Sequence, residues 1–236
     1  MLDFTKRSFF GQSKKAKSSK NDTKQSFVQF SAEDLAFFAK NTEGCIKSID
    51  NDVLNSVPVC KYEGEIVLID KKGDVDKYVE IIEQDDIIGI DSETRPNFTR
   101  GERHQVALLQ IATSSKVYLF RLNKIGFTKS LLALFENPNL IKVGIALEND
   151  LPELRRFGPI NPVGLVDLNK LCPAIGFGMI GARKLSAMIL GFRLSKAQQT
   201  SNWESDVLTD AQLAYAATDA WVCREIYLRI CGIRTV

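Results

Sequence analysis

The chain has 236 residues, 44% of them apolar and 25% charged, which is the make-up of a folded globular protein with room for a sizeable core. The net charge of +2 hides an asymmetry: residues 1–24 carry seven Lys/Arg against two acids, and the remainder carries 24 basic against 27 acidic residues. The body is therefore no generic basic polyanion binder, the single histidine excludes any two-histidine zinc site, and no apolar run approaches the ~18 residues of a membrane span.

Residues 1–26, rich in Lys, Ser, Gln and Asn, read as a disordered basic tail. No signal-peptide core is present there, so export is not expected. The Phe9-Phe10 pair before the basic run faintly resembles a sliding-clamp-binding peptide and would be a weak docking point for a protein partner. Asp3 and Lys6 stand where such a peptide needs Gln and an aliphatic residue, so a solvated tail is the favoured reading. Five scattered cysteines (Cys45, Cys60, Cys172, Cys223, Cys231) without a CxxC pair argue against disulfides and fit a reducing cytoplasm, or a nucleus in a eukaryote.

Residues 27–62 read as a short helix and a linker. Ser31-Ala-Glu-Asp34 is a capping-box-like start, Leu35, Phe37 and Phe38 form the apolar side, and the polar stretch to about Ser56 is the linker. From Glu63 helices and strands alternate, and residues 63–236 are expected to form the functional domain. Strand patterns fall at 66–69, 87–90, 106–112, 117–120, 141–146 and 163–166, the third and fourth hairpin-like. Helical patterns fall at 74–82, 128–136, 148–157, 182–190 and from a Thr209 capping box to Ile230. The fold class is α/β, a mixed sheet flanked by helices.

The chemical signal is the placement of acids. Asp91 and Glu93, two apart at the end of an apolar strand, share one face. Asp150 falls in the first turn of a helix after another apolar strand, where an acid also simply suits the helix dipole. Asp219 lies inside the last helix, one turn after Tyr215 on the same face and flanked by Ala and Trp. An Asp there is costly without a partner. Four carboxylates converge only around cations, and an all-oxygen set selects hard ions such as Mg²⁺ or Mn²⁺. Two such ions about 4 Å apart clamp an in-line attack on a phosphodiester.

Three segments carry a family resemblance: Ile90-Asp91-Ser92-Glu93-Thr94, the stretch from Val143 to Asp150, and Tyr215-Ala-Ala-Thr-Asp219-Ala220. Thr200-Ser201-Asn202-Trp203 and Leu108-Leu-Gln-Ile111 add to it. Together they resemble the DEDDy 3′→5′ exonucleases: ribonuclease D, the Werner-type exonuclease domain and the proofreading domain of family A DNA polymerases. The resemblance covers roughly residues 63–228 and implies a ribonuclease H-like fold and two divalent metal ions, Mg²⁺ or Mn²⁺. It gives Asp91 the bridging position, Glu93 and Asp219 the metal that activates water, Asp150 the second metal, and Tyr215 the orientation of the water. Tyr215 in the third motif, in place of His, specifies the Tyr subtype. The Thr94 backbone N–H would meet the terminal 3′-hydroxyl, and Leu108 or a neighbour would wedge at the terminal bases. Apart from the resemblance, Arg95, Arg100 and Arg103 read equally as an exposed loop or as a local phosphate rim, His104 among them reads as an exposed loop residue, and Arg183, Lys184, Arg193 and Lys196 make a second basic group. Trp203 reads as a packing anchor.

The expected function is removal of nucleotides from a free 3′ end, with DNA end processing ahead of ribonuclease D-like RNA trimming. A nucleic-acid-binding adaptor on a nuclease fold is the weaker rival, since all five motif residues are present.

Overall fold

The computed structural model describes residues 26–99 and 101–233; the basic tail up to residue 25, with its Phe9-Phe10 pair, and Arg100 lie outside them. Six strands form one sheet: β1 (Glu65–Ile69), β2 (Ile87–Thr94), β3 (Val106–Ala112), β4 (Lys116–Phe120), β5 (Ile141–Gly144) and β6 (Leu165–Asp167). Their order is β1-β4-β3-β2-β5-β6. β3 runs antiparallel to β4 and β2, whereas β1 pairs parallel with β4, and β2, β5 and β6 are parallel. This is the mixed sheet the alternating pattern predicts.

The apolar run of β3, interrupted only by Gln110, is explained by burial on both faces: every residue of β3 is buried. Leu109 and Ile111 join Ile88 and Ile90 of β2 in the core under α3 (Val75–Ile82) and α5 (Lys129–Glu136). Leu108 and Ala112 turn to the other face, where Ala216, Ala217 and Ala220 of α9 (Asp210–Ile230) cover them with Trp203. The alanines let α9 lie close on the sheet, and Gly89 completes the fit. A Cβ on Gly89 would stand 2.0 Å from the Ala220 carbonyl oxygen, so β2 and α9 meet backbone to backbone.

Residues before the sheet fold onto it. α1 (Ala32–Asn41) starts at the expected Ser31–Asp34 capping box and buries Phe38. The polar stretch that reads as a linker instead forms α2 (Asn51–Ser56), capped by Asp50 and anchored by the buried Leu54. Phe38, Ile49 and Leu54 share a core with Val222, Ile226 and Ile230 of α9. Val28 N–H donates to the Leu165 carbonyl, and Leu165 N–H to the Ser26 carbonyl, so residues 26–28 line the free edge of β6.

Lys142 is fully buried in β5, and its ammonium donates to the Leu134 and Asn137 carbonyls at the end of α5. Burial holds its pKa down at about 8. Because the unfolded lysine titrates near 10.5, the unfolded chain binds more protons between these values, and this group's contribution to stability rises with pH across that window. Lys142→Met should therefore lose stability relative to wild type more at pH 9.5 than at pH 7.5, as read by urea unfolding at both values.

Candidate active site

Asp91 and Glu93 leave β2 on the α9 side, and Asp219 comes down from α9 one residue before the Ala220 contact. Carboxylate oxygens of Asp91, Glu93 and Asp219 lie within 4.8 Å of one another. β2 does not end at Asp91 but continues to Thr94, with a bulge between Glu93 and Thr94 opposite β3. Both acids are thus fixed by a paired ladder, and the bulge re-aims the strand just past them. Tyr215 lies one turn before Asp219 on the same face of α9, so phenol and carboxylate influence each other's titration, and its ring stands 6.0 Å from the buried Trp203.

Asp150 belongs to α6 (Leu147–Leu154), on the carboxyl side of β5. Its Oδ1 accepts a 3.2 Å hydrogen bond from Ser92 Oγ, which points away from the Asp91 side of β2. The strand pattern through Ala146 overshoots: β5 stops at Gly144, and Ala146 adopts a left-handed conformation (φ 60°). Asp167, at the end of β6, holds that turn, accepting from Ala146 N–H at 3.0 Å and Asn169 N–H at 2.9 Å with one oxygen. Sequence reasoning missed Ser92 and Asp167, although an Asp closing an apolar strand was the signal that found Asp91. Asp167→Ala would leave two backbone donors unbonded and should cost about 2–4 kcal/mol of stability. Adding Ala146→Gly removes the left-handed strain and should recover about 1 kcal/mol, measured by urea unfolding.

Burial first, then neighbouring carboxylates, pushes Asp91 well above the usual carboxyl range and Glu93 to about 10. Burial raises Asp150 to about 6 despite the Ser92 hydrogen bond, and Asp219 to about 7 against the lowering influence of the Tyr215 phenol. Tyr215 moves upward for the same reasons, so its phenol stays protonated at neutral pH as a donor. An oxygen-only set this crowded holds its charge only next to a cation, and the Asp91–Glu93–Asp219 group fits a hard divalent ion.

Asp91, Glu93 and Asp219 line a cavity of about 450 Å³, a size suited to a small ligand or a chain end, and Asp150 lies outside this lining. Arg183, Lys184 and Lys196 line it, whereas Arg193 turns away to the Val57 carbonyl. Leu108 is fully buried beneath Trp203 and α9 and offers no surface for a wedge. Trp203 is fully buried too, as its reading as an anchor required. Arg95 pairs with Glu204 at 3.3 Å, Arg103 is exposed, and Arg100 lies outside the described residues. His104 is not an open loop residue: its Nδ1 lies 3.1 Å from Glu204 and its side chain is mostly covered.

Residues 66–231 match the 3′-5′ exonuclease family. The chain belongs to that family. It is 31% identical over 206 residues to the bifunctional 3′-5′ exonuclease/ATP-dependent helicase WRN of Mus musculus, covering 81% of this chain and 14% of the relative. It is 31% identical over 166 residues to ribonuclease D of Gluconacetobacter diazotrophicus, covering 68% of this chain and 41% of the relative. The chain thus spans less than half the length of these relatives. The Nibbler EXO domain of Aedes aegypti superposes with a TM-score of 0.67 at 22% identity, over 73% of this chain and 91% of that one. The fold of this exonuclease-family chain is thereby the ribonuclease H-like mixed sheet. No helix among the described residues is long and apolar enough to cross a membrane.

Proposed function

We propose that the chain is a metal-dependent 3′→5′ exonuclease that hydrolyses the last phosphodiester of nucleic acid with a free 3′ end. The observation that carries this reading is the Asp91–Glu93–Asp219 carboxylate cluster, with Tyr215 one turn before Asp219 on α9. Asp91 would bridge two ions, Glu93 and Asp219 would hold one of them, and Asp150 would hold the other. Bound Mg²⁺ or Mn²⁺ supplies Lewis-acid stabilisation and lowers the pKa of water. The chain's own groups do the positioning. α9 holds the Tyr215 phenol on the Asp219 face, and that phenol, a donor and never a base at neutral pH, aims the attacking water. Asp150, held by Ser92, steadies the opposite side, and the Thr94 backbone N–H reads the 3′-hydroxyl. Lys196 sits in the cleft as a phosphate contact, and Arg95 and Arg103 supply a more distant rim.

DNA is the favoured polymer, and the ribonuclease D relative keeps RNA as the second reading. The cytoplasm, or the nucleus of a eukaryote, is the proposed compartment, and the basic tail the proposed contact for a weak protein partner.

Matched 5′-labelled DNA and RNA, each with Mg²⁺, Mn²⁺ or EDTA, provide the test. Stepwise shortening from the 3′ end should need the metal, stop with a 3′-phosphate and be silent in EDTA; full activity in chelator would sink the reading. Tyr215→Phe should lower kcat by about 10²–10³ with little change in Tm, because one orienting hydrogen bond is lost while the ring still packs on Trp203.

A further inference from the structure

Residues 51–63 precede the stretch matched by the exonuclease family, which begins at residue 66, yet they wall the cleft on both sides of Tyr215. Asn51 and Leu54 line the lobe that holds Asp91, Glu93 and Asp219. Cys60 and Glu63 line a second lobe of about 580 Å³, and the two lobes share Leu194, Ser195, Tyr215 and Asp219. The segment is stapled in place. Arg193 N–H donates to the Pro58 carbonyl at 2.8 Å, and Cys60 N–H returns to the Arg193 carbonyl at 3.1 Å. Arg183 Nη2 donates to Asn55 Oδ1 at 3.0 Å, and Tyr62 N–H to Thr218 Oγ1 at 2.9 Å. Leu54, 2% exposed, pins the middle into the core.

Charge separates the lobes. Arg183, Lys184 and Lys196 line the first, and none of them makes an ion pair among the described residues. Arg183 Nε is buried there without a hydrogen-bond partner. The second lobe carries Glu63, Asp210 and the shared Asp219 against Lys61 alone, whereas in the first the three cations stand beside Asp91, Glu93 and Asp219, the acids that would hold cations of their own. A polyanion approaching the acids is therefore drawn along the first lobe, past Asn51, and not through the second.

We propose that residues 51–63 are a specificity element of the cleft, in which Asn51 and Arg183 grip the phosphodiester one step 5′ of the bond that is cut. This rests on the exonuclease reading. It makes a second phosphate part of what the cleft recognises, so a strand is a far better substrate than a single-phosphate ester. Phosphate contacts of this kind position a strand without reading its bases.

The test compares a ten-nucleotide strand with the p-nitrophenyl ester of thymidine 5′-phosphate, which has one phosphate. Asn51→Ala and Arg183→Gln should each lower the strand-to-ester ratio of kcat/KM about tenfold. Arg183→Gln should also reduce the salt slope of strand binding by about one. Asn51 is exposed, so its variant keeps the fold. Lys72→Gln removes a charge from the exposed turn before α3, away from the cleft, and it should leave the ratio at the wild-type value. An unchanged ratio in the first two variants, or a Lys72→Gln that reproduces Arg183→Gln, would overturn the proposal. If wild type cuts neither substrate, the exonuclease reading fails. Fluorescence anisotropy of the labelled strand then still decides the proposal: Kd should rise about tenfold in Asn51→Ala and Arg183→Gln, and an unchanged Kd overturns it.

Discussion

Asp91→Asn should lower the rate at least ~10³-fold and make the chelated protein more stable at pH 8 than wild type. The first effect follows because Asp91 stands in the carboxylate cluster with Glu93 and Asp219 and also feels the Asp150 charge. The second follows from the same crowding. Glu93 titrates at about 10 in the folded chain against 4.5 unfolded, and Asp219 at about 7 against 3.8. Groups raised in this way bind more protons when folded. Their stabilisation is complete below about pH 4 and is lost as pH climbs, through about 7 for Asp219 and on towards 10 for Glu93. Wild-type Tm in EDTA should therefore fall between pH 5.5 and pH 8.0, and Mn²⁺ should restore more at pH 8.0. In Asp91→Asn the fall should be shallower, since Asp91 is the largest charged contributor to the Glu93 shift. Parallel falls in the two proteins would show that the carboxylates do not repel one another as their placement requires.

Gly89→Ala tests the other determinant of the site, the distance between sheet and helix. The new methyl would lie 2.0 Å from the Ala220 carbonyl oxygen and 2.9 Å from the Arg224 amide nitrogen, both backbone atoms that cannot swing aside. α9 must lift from β2, at a cost of about 3 kcal/mol or more. Asp219 rides on the lifted turn, so its carboxylate leaves Asp91 and Glu93, and a displacement of about 1 Å should cost at least ~10² in rate. Thermal melts and turnover at a temperature where the variant is folded separate the two losses. A variant with wild-type Tm and turnover would mean that α9 does not touch β2 at this point.

The acids were legible because their spacing alone fixes their direction: period two on β2 for Asp91 and Glu93, and one helical turn for Tyr215 and Asp219. Asp150 was legible as a motif but its support was not. Nothing in Gly144-Ile-Ala146 announces a left-handed alanine, and the carboxylate that holds it lies 21 residues on. Leu108 was ambiguous for a different reason. A strand buried on both faces shows no alternation, so the sequence does not say which leucine meets the cleft and which lies under α9. The wall at residues 51–56 was hidden by its shortness. Six residues with one buried side chain carry no helical period, and a polar helix of that length reads as a connector.

The pairing of residues 26–28 with β6 bears on how the chain can be cut. β6 is only three residues long, and its outer side would offer bare N–H and C=O groups if that pairing were lost. A truncation beginning where the family match begins would unseal this border, and would also strip Phe38, Ile49 and Leu54 from α9. An open sheet border beside freshly exposed apolar surface is the template on which identical molecules add strand to strand. The catalytic motifs would all survive such a cut, but the piece should self-associate into aggregates, whereas a chain starting at residue 26 should stay dispersed.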